Sequence, residues 1–402
     1  MKDEKKAPKL RFKSFTDDWE QCKLGDVYGH LYSGNTPSRK NSANFGGDTP
    51  WIRTADLNNG LIKSTTEFLT YEGIKQLKIL PENTIVLAMY GGFNQIGRTG
   101  ILGFPATINQ ALVALTPHKN INQFFAQSYL NRHIIDWRRV AASSRKDPNI
   151  TKEDVEKSEF SFGSLEEQNR ISKLISRLDH TITLHEGKKR QLELLKSALL
   201  QKMFADENGY PSVRFREFSD VWQLKKFKEV YAKSKEKNTR YGIQDIISVA
   251  NMHYNKNASI RSVEYLKTYN VFKIGDIAFE GNKSSRFSHG RFVENTIGDG
   301  IVSHVFDVFR PIDKHDLQFM KHYINCENVM GPIMLRVTKA STMMTNLVAK
   351  DFLNESIRIP SISEQQHIGR LLECLNQLIT MHQNKLNNLK ILKNSLLQNM
   401  FI

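Results

Sequence analysis

The sequence has no apolar run approaching the roughly 20 residues needed to span a bilayer, and its opening, MKDEKKAPKL, lacks the apolar core of a secretory signal. A soluble, cytoplasmic protein is expected. Cysteine is scarce: Cys22, Cys326 and Cys374 are far apart, odd in number and outside any C-x-x-C pair, so neither a disulfide framework nor a thiolate zinc site is expected. Recognisable catalytic motifs are missing too. No N-P-P-[YF] or F-x-G-x-G segment is present, and His and carboxylates do not cluster at metal-ligand spacing, the nearest pair being His185-Glu186. Gly92-Phe-Asn-Gln-Ile-Gly97-Arg98-Thr99 has the spacing of a phosphate-binding loop. Arg98 stands where a compact lysine charge belongs, and Gly100 to Pro105 cannot open the helix that would hold the phosphates. Asp276 and Glu280, in GDIAFEGNK, form too loose a pattern to define a nuclease centre. Acidic residues are the minority, 42 Asp and Glu against 57 Lys and Arg. The formal charge of +15 favours a polyanionic partner such as nucleic acid.

What the 402 residues do contain is repetition. PKLRFKSFTDDWEQCKLGDVY, Pro8 to Tyr28, returns as PSVRFREFSDVWQLKKFKEVY, Pro211 to Tyr231, at an offset of 203. A second block, Ser144 to Phe204, returns without a gap from Ser341 to Phe401 at an offset of 197, with Glu167-Gln168 matching Glu364-Gln365 and LLQKMF matching LLQNMF. The stretches between, roughly 29 to 143 and 232 to 340, show no obvious mutual resemblance. A duplicated frame thus carries two different inserts.

Each copy of the second block predicts a long helix. Ser164 and Ser361 are candidate N-caps, with Glu167 and Glu364 three residues on as in a capping box. A 3-then-4 spacing picks out Ile171, Leu174, Leu178, Thr181, His185, Lys188, Leu192, Leu195, Leu199 and Lys202, and in the copy Ile368, Leu371, Leu375, Leu378, His382, Lys385, Leu389, Leu392, Leu396 and Asn399. About 38 residues at 1.5 Å each give a helix of roughly 57 Å. Two copies of one seam on one chain predict an antiparallel, pseudo-twofold intramolecular coiled coil, with the central His and Lys either fixing register, facing a partner or simply solvated.

The inserts read as mixed α/β (α+β), strand-rich domains, with strands at Thr84–Tyr90, Ala111–Leu115, Asp276–Phe279 and Ile301–Phe309 and helices at Gln123–Arg139 and Leu317–Asn325. The expected boundaries are 1–160, a helix at 161–207, 208–357 and a helix at 358–402. Groove-reading side chains are placed in the two domains: Arg39, Lys40, Arg53, Asn94, Gln95, Arg98, Arg145 and Lys146 in the first, and Lys233, Lys235, Lys237, Arg240, Lys283, Arg286, His289, Arg291 and Lys339 in the second. Arg suits guanine edges, Asn and Gln suit adenine, and Lys neutralises phosphate. A lone enzyme acting through Asp276 or Glu280, and a scaffold binding only proteins, are the alternatives.

The order insert, helix, insert, helix resembles the specificity subunit of type I restriction-modification systems, and the likeness covers nearly the whole chain. It rests on I-P-S-I-S-E-Q-Q-H-I-G-R-L-L from Ile359 to Leu372, on F-G-S-L-E-E-Q-N-R-I from Phe162 to Ile171, and on the two L-L-Q-x-M-F endings. Ser33-Gly-Asn-Thr-Pro-Ser38 followed by Gly46-Gly-Asp-Thr-Pro-Trp-Ile-Arg-Thr-Ala-Asp-Leu57 is similar to the opening of many target recognition domains. The resemblance implies a non-catalytic subunit whose two recognition domains each read half of a bipartite, asymmetric DNA site, with the helix pair as ruler. It also implies two methyltransferase subunits and translocase-nuclease subunits as partners, which would bring S-adenosylmethionine, ATP and magnesium. One departure is Gly163, where the second copy has Pro360; a more flexible first hinge is the expectation there.

Overall fold

The computed structural model describes residues 7–142, 148–258, 260, 262–285, 287–340 and 344–402. The chain divides into two compact units, Met1–His185 with Lys385–Ile402, and Glu186–Asn384. The long helices Leu165–Lys202 and Ile362–Asn399 are therefore each shared between units.

The first unit is built on a five-stranded sheet ordered Tyr32–Ser33, Leu112–Leu115, Ile85–Ala88, Thr99–Leu102 and Leu61–Ile62. Its central strands, IVLA and LVAL, are apolar and buried on both faces, as strands covered on two sides must be. The second unit has a four-stranded antiparallel sheet ordered Tyr231–Lys233, Val308–Pro311, Ile277–Glu280 and Arg291–Glu294. The order is the same in both: opening strand, returning strand, then the two arms of a central hairpin. The inserts share a topology that their sequences conceal.

Two expected elements differ. Ile301–Phe309 is two strands, Gly300–Val302 and Val308–Pro311, in different sheets, because Phe306 turns back to donate to the Ser303 carbonyl. The helix expected over Gln123–Arg139 breaks at His133 into Gln123–Arg132 and Ile134–Ala142.

The duplicated frame makes the same contacts twice. Glu20–Lys23 pairs antiparallel with Glu159–Phe162, and Gln223–Lys226 with Ser356–Ile359. Ser164 and Ser361 cap as expected, each hydroxyl accepting from the backbone N–H three residues on at 3.3 Å. The Glu carboxylates go elsewhere. Buried Glu167 accepts two bonds from Arg11, both at 2.8 Å, and Glu364 accepts the same two from Arg214. These bonds raise both guanidiniums above their ordinary value. The adjacent Gln168 accepts from the backbone N–H of Asn122, and Gln365 from that of Asp316, each 2.9 Å away. Asn122 and Asp316 are themselves the N-caps of the helices Gln123–Arg132 and Leu317–Tyr323. The Glu-Gln dipeptide thus fastens the opening strap and the domain helix to the start of each long helix.

Gly163 is explained by crowding, not by a loose hinge. Trp19 donates from Nε1 to Glu167 at 2.9 Å, and a Cβ on Gly163 would lie 2.2 Å from that carboxylate and 2.6 Å from the indole nitrogen. In the second unit, where Pro360 occupies the position, Trp222 Nε1 has no hydrogen-bond partner among the described residues. Gly163→Ala is expected to lower the stability of the first unit by about 1–3 kcal/mol, since Arg11 holds the carboxylate in place. Urea unfolding read at hydrogen-exchange-protected amides of that unit checks it.

The long helices bury a stripe in a 4-then-3 phase, not the expected 3-then-4. Ile175, Ile182 and Met203 are buried whereas Lys188, Leu195 and Lys202 are exposed, and the copy repeats this with Leu372, Leu386 and Met400 buried. The heptad positions common to both phases, Ile171, Leu178, His185, Leu192 and Leu199 with Ile368, Leu375, His382, Leu389 and Leu396, are all buried or half-buried.

Within each unit the head of one helix meets the tail of the other. In the first, Asp179 accepts from Lys393 at 2.5 Å; in the second, Asn376 accepts from Lys196 at 2.5 Å. These are one pair seen twice, because Asp179 and Asn376 are 197 apart, as are Lys196 and Lys393. The tails end inside the domain cores. Phe401 packs against Trp19, Phe125 and Tyr129, and Phe204 against Phe319 and Tyr323.

Candidate nucleic-acid interface

The central hairpin of each unit ends in a tip, residues 89–98 in the first and 281–285 with 287–290 in the second; of the expected groove-reading residues, Asn94, Gln95 and Arg98 lie on the first tip and Lys283 and His289 on the second.

At the first tip, Gly91, Gly92 and Gly97 take positive φ values that side chains resist. Thr99 beyond them continues as a strand and opens no helix, which removes any phosphate-binding loop. Arg98 is half-buried, donating to the Leu57 carbonyl and, at 2.6 Å, to Gln95 Oε1. Both side chains therefore brace the loop. Asn94 is exposed; its carbonyl accepts from Arg138 at 2.8 Å, and the same guanidinium lies 6.0 Å over the Phe93 ring. Phe93, 48% exposed, lies on the tip among the expected readers, and Arg138, on the helix Ile134–Ala142, reaches the tip without any motif having marked it. An aromatic residue beside two glycines was the available signal for Phe93. Ile150 donates to the Met89 carbonyl, returning the following segment against the hairpin. Arg145 and Lys146 lie outside the described residues.

Beside this tip stands a second cluster, since a Cβ on Gly91 would touch Thr54. Arg39 donates to Glu67 at 2.8 and 3.1 Å, and its guanidinium lies 5.1 Å from the Phe45 ring and 5.5 Å from Trp51. Arg53 also pairs with Glu67 and reaches Thr66 Oγ1 at 3.3 Å. Lys40, next in the turn, is exposed.

At the second tip, Thr345 donates from its backbone to the Gly281 carbonyl at 2.8 Å and from its hydroxyl to the His289 carbonyl at 3.0 Å. This seats the antiparallel strand pair Thr338–Ala340 and Thr345–Leu347 against the tip. Lys283 and Lys339 are exposed and His289 is half-buried; Arg286 lies outside the described residues. Arg291 is occupied, donating to Glu280 at 2.7 Å and to the Ala250 carbonyl at 2.8 Å, with the Phe287 ring 5.4 Å away.

Lys233 ends the opening strand of that unit and pairs with Asp307 at 2.6 Å; beyond it Lys235 is exposed, Lys237 donates to Asn270 at 2.7 Å, and Arg240 donates to the Tyr241 hydroxyl at 2.7 Å. Asp276 is buried and takes two bonds from Arg310 at 3.0 Å; burial raises its carboxyl and the guanidinium opposes the rise. Asp276 and Glu280 are thus both engaged by arginines, the arrangement of structural ion pairs. Among the described residues no group of three or more His, Cys, Asp and Glu could hold a metal ion, and no helix is long and apolar enough to cross a membrane.

A repeated frame thus carries two differently decorated tips, and known proteins are similar to this chain in sequence and fold. The chain is 23% identical to the type I restriction enzyme MjaIX specificity subunit of Methanocaldococcus jannaschii over 94% of this chain and 92% of that protein. It is 29% identical to the EcoR124I/EcoR124II specificity subunit of Escherichia coli over 46% of each. In fold it is similar to the S subunit of a type I restriction-modification system from M. genitalium, with a TM-score of 0.61 at 14% identity over 98% of this chain and 99% of that one. It is also similar to a chain solved in work on complex assembly and conformational transition of the type I R-M system, with a TM-score of 0.53 at 15% identity over 95% and 97%. The family described as type I restriction modification DNA specificity domain matches residues 16–194 and again 212–390. The chain therefore belongs to the specificity-subunit family of type I restriction-modification systems and carries that domain twice.

Proposed function

We propose that each unit reads one half of a bipartite, asymmetric DNA site through its hairpin tip and the basic residues beside it, while the paired helices fix the gap between the halves. The observation that carries this reading is the equivalence of the tips: one topological position holds Phe93, Asn94 and Gln95 in one unit and Lys283 and His289 in the other. Identical tips would read a symmetric site; different ones read different halves. The subunit is itself non-catalytic in this reading and works in the cytoplasm. S-adenosylmethionine, ATP and magnesium enter with methyltransferase and translocase-nuclease subunits.

A second observation supports two copies of the methyltransferase partner. The first unit exposes Leu184, Ile391 and Leu392 on its helix segments, and the second exposes Met381, Leu194 and Leu195, the same three positions displaced by 197. Apolar side chains exposed at matching places on a duplicated frame suit one partner surface used twice. Replacing Leu184 and Ile391 together by Asp is expected to reduce the bound methyltransferase subunits from two to one, with native mass spectrometry as the measurement.

Binding of the chain co-purified with its methyltransferase subunit to a randomised duplex library, at two salt concentrations, tests the main reading. A two-part motif with a fixed gap is expected. Salt-sensitive binding with no motif would leave only phosphate contacts and overturn it.

A further inference from the structure

Arg39 and Arg53 both bind Glu67, yet they stand in different situations. Arg53 is half-buried and committed: it pairs with Glu67, reaches Thr66 Oγ1 at 3.3 Å and lies 3.8 Å from Asp56. Arg39 is 57% exposed and donates to Glu67 through Nη2. Its Nε and Nη1 hydrogens make no bond among the described residues, so the two-donor edge it offers pairs one of them with an Nη2 hydrogen beside Glu67, and its guanidinium carbon lies near the Phe45 and Trp51 rings. The loop beneath it is fixed. Asn44 donates to the Ser38 carbonyl at 3.0 Å, and Trp51 Nε1 donates to the Asn35 carbonyl at 3.3 Å. Arg291 in the other unit is also pinned by a carboxylate beside a ring, but it spends Nε on Glu280 and Nη2 on the Ala250 carbonyl, which makes it a brace.

We infer that Glu67 is a positioning residue: anchored by Arg53, it orients the guanidinium of Arg39 as a base-reading fork of the first unit. The inference rests on the DNA-reading function proposed above and names one component of it. A bidentate contact to guanine requires a planar fork in a fixed attitude, and an unrestrained surface arginine loses side-chain entropy to adopt one. Ring and carboxylate remove that loss before DNA arrives. The charge of Glu67 also opposes any nearby phosphate, so the arrangement penalises sequence-independent contact while leaving a neutral base edge unpenalised. An exposed ion pair with no such role would contribute little to stability and nothing to sequence choice.

The test uses the full chain co-purified with its methyltransferase subunit and the same randomised library, with selectivity read base pair by base pair for the parent, Glu67→Gln, Glu67→Asp and Arg39→Lys. In the parent, absence of any motif would overturn the DNA-reading function and, with it, the inference that rests on it. With a parent motif in hand, Glu67→Gln and Arg39→Lys are each expected to relax the same single position, in one half only, by about tenfold. Affinity of Glu67→Gln for random duplex should be equal or higher, Glu67→Asp should retain part of the selectivity, and the thermal midpoint should stay within about 2 °C of the parent. If Glu67→Gln leaves every position intact, the inference is wrong, whether or not Arg39→Lys has an effect. Equal weakening of the whole half-site together with a lower melting temperature would also overturn it, because Glu67 would then support the fold and not the reading.

Discussion

Replacing Glu364 by alanine is expected to destabilise the second unit by about 3–5 kcal/mol, a large effect for a single carboxylate. Glu364 is 1% exposed and takes both of its principal bonds from Arg214. Removing it strands a largely buried guanidinium without its counter-charge, and that uncompensated charge dominates the cost. The same change at Glu167 should cost at least as much, since Trp19 Nε1 would lose its acceptor as well. Removing both partners of a pair, as in Arg214→Ala with Glu364→Ala, should cost clearly less than the sum of the single changes. Urea unfolding followed by hydrogen exchange within each unit measures these terms separately; equal, small losses for single and double variants would mean that the pair does not hold the strap.

Phe401→Ala is expected to cost the first unit about 3–5 kcal/mol, although the residue lies just beyond the tail of a long helix. That position is inside a core. Phe401 is buried among Trp19, Phe125 and Tyr129, and Leu10 donates to the Asn399 carbonyl at 2.8 Å, tying the opening strap to the tail. Phe204→Ala should impose a similar loss on the second unit, where Val213 donates to the Lys202 carbonyl at 2.9 Å. In each case hydrogen exchange should quicken in the unit that receives the phenylalanine, not in the domain that precedes the helix in sequence. Faster exchange confined to the preceding domain would contradict the observed packing.

Much of the frame was legible because it is written twice. Arg11 and Arg214, Glu167 and Glu364, and the paired Met-Phe endings recur in place, and recurrence marked them before their contacts were known. The destination of the Glu carboxylates was not legible, since a capping box and a bond to an arginine 156 residues away in sequence ask for the same residue at the same position. The helix phase was ambiguous for a local reason: Leu174 and Ile175 are both apolar, so neighbouring positions compete for the seam. The common topology of the inserts was hidden because most of their strands are only two to four residues long, too short for alternation to register. Among the candidate readers, Arg98 and Arg291 looked like free cations because Leu57 and Ala250, which accept from them, each lie 41 residues away in sequence and contribute only a carbonyl.

The most direct test of two readers on one frame is to exchange residues 29–142 alone for the corresponding stretch of a relative with a different target, then determine the DNA motif of the assembled complex. One half of the motif should change to that of the donor, while the other half and the gap stay as they were. Change in both halves, or in the gap, would contradict independent reading by the two units.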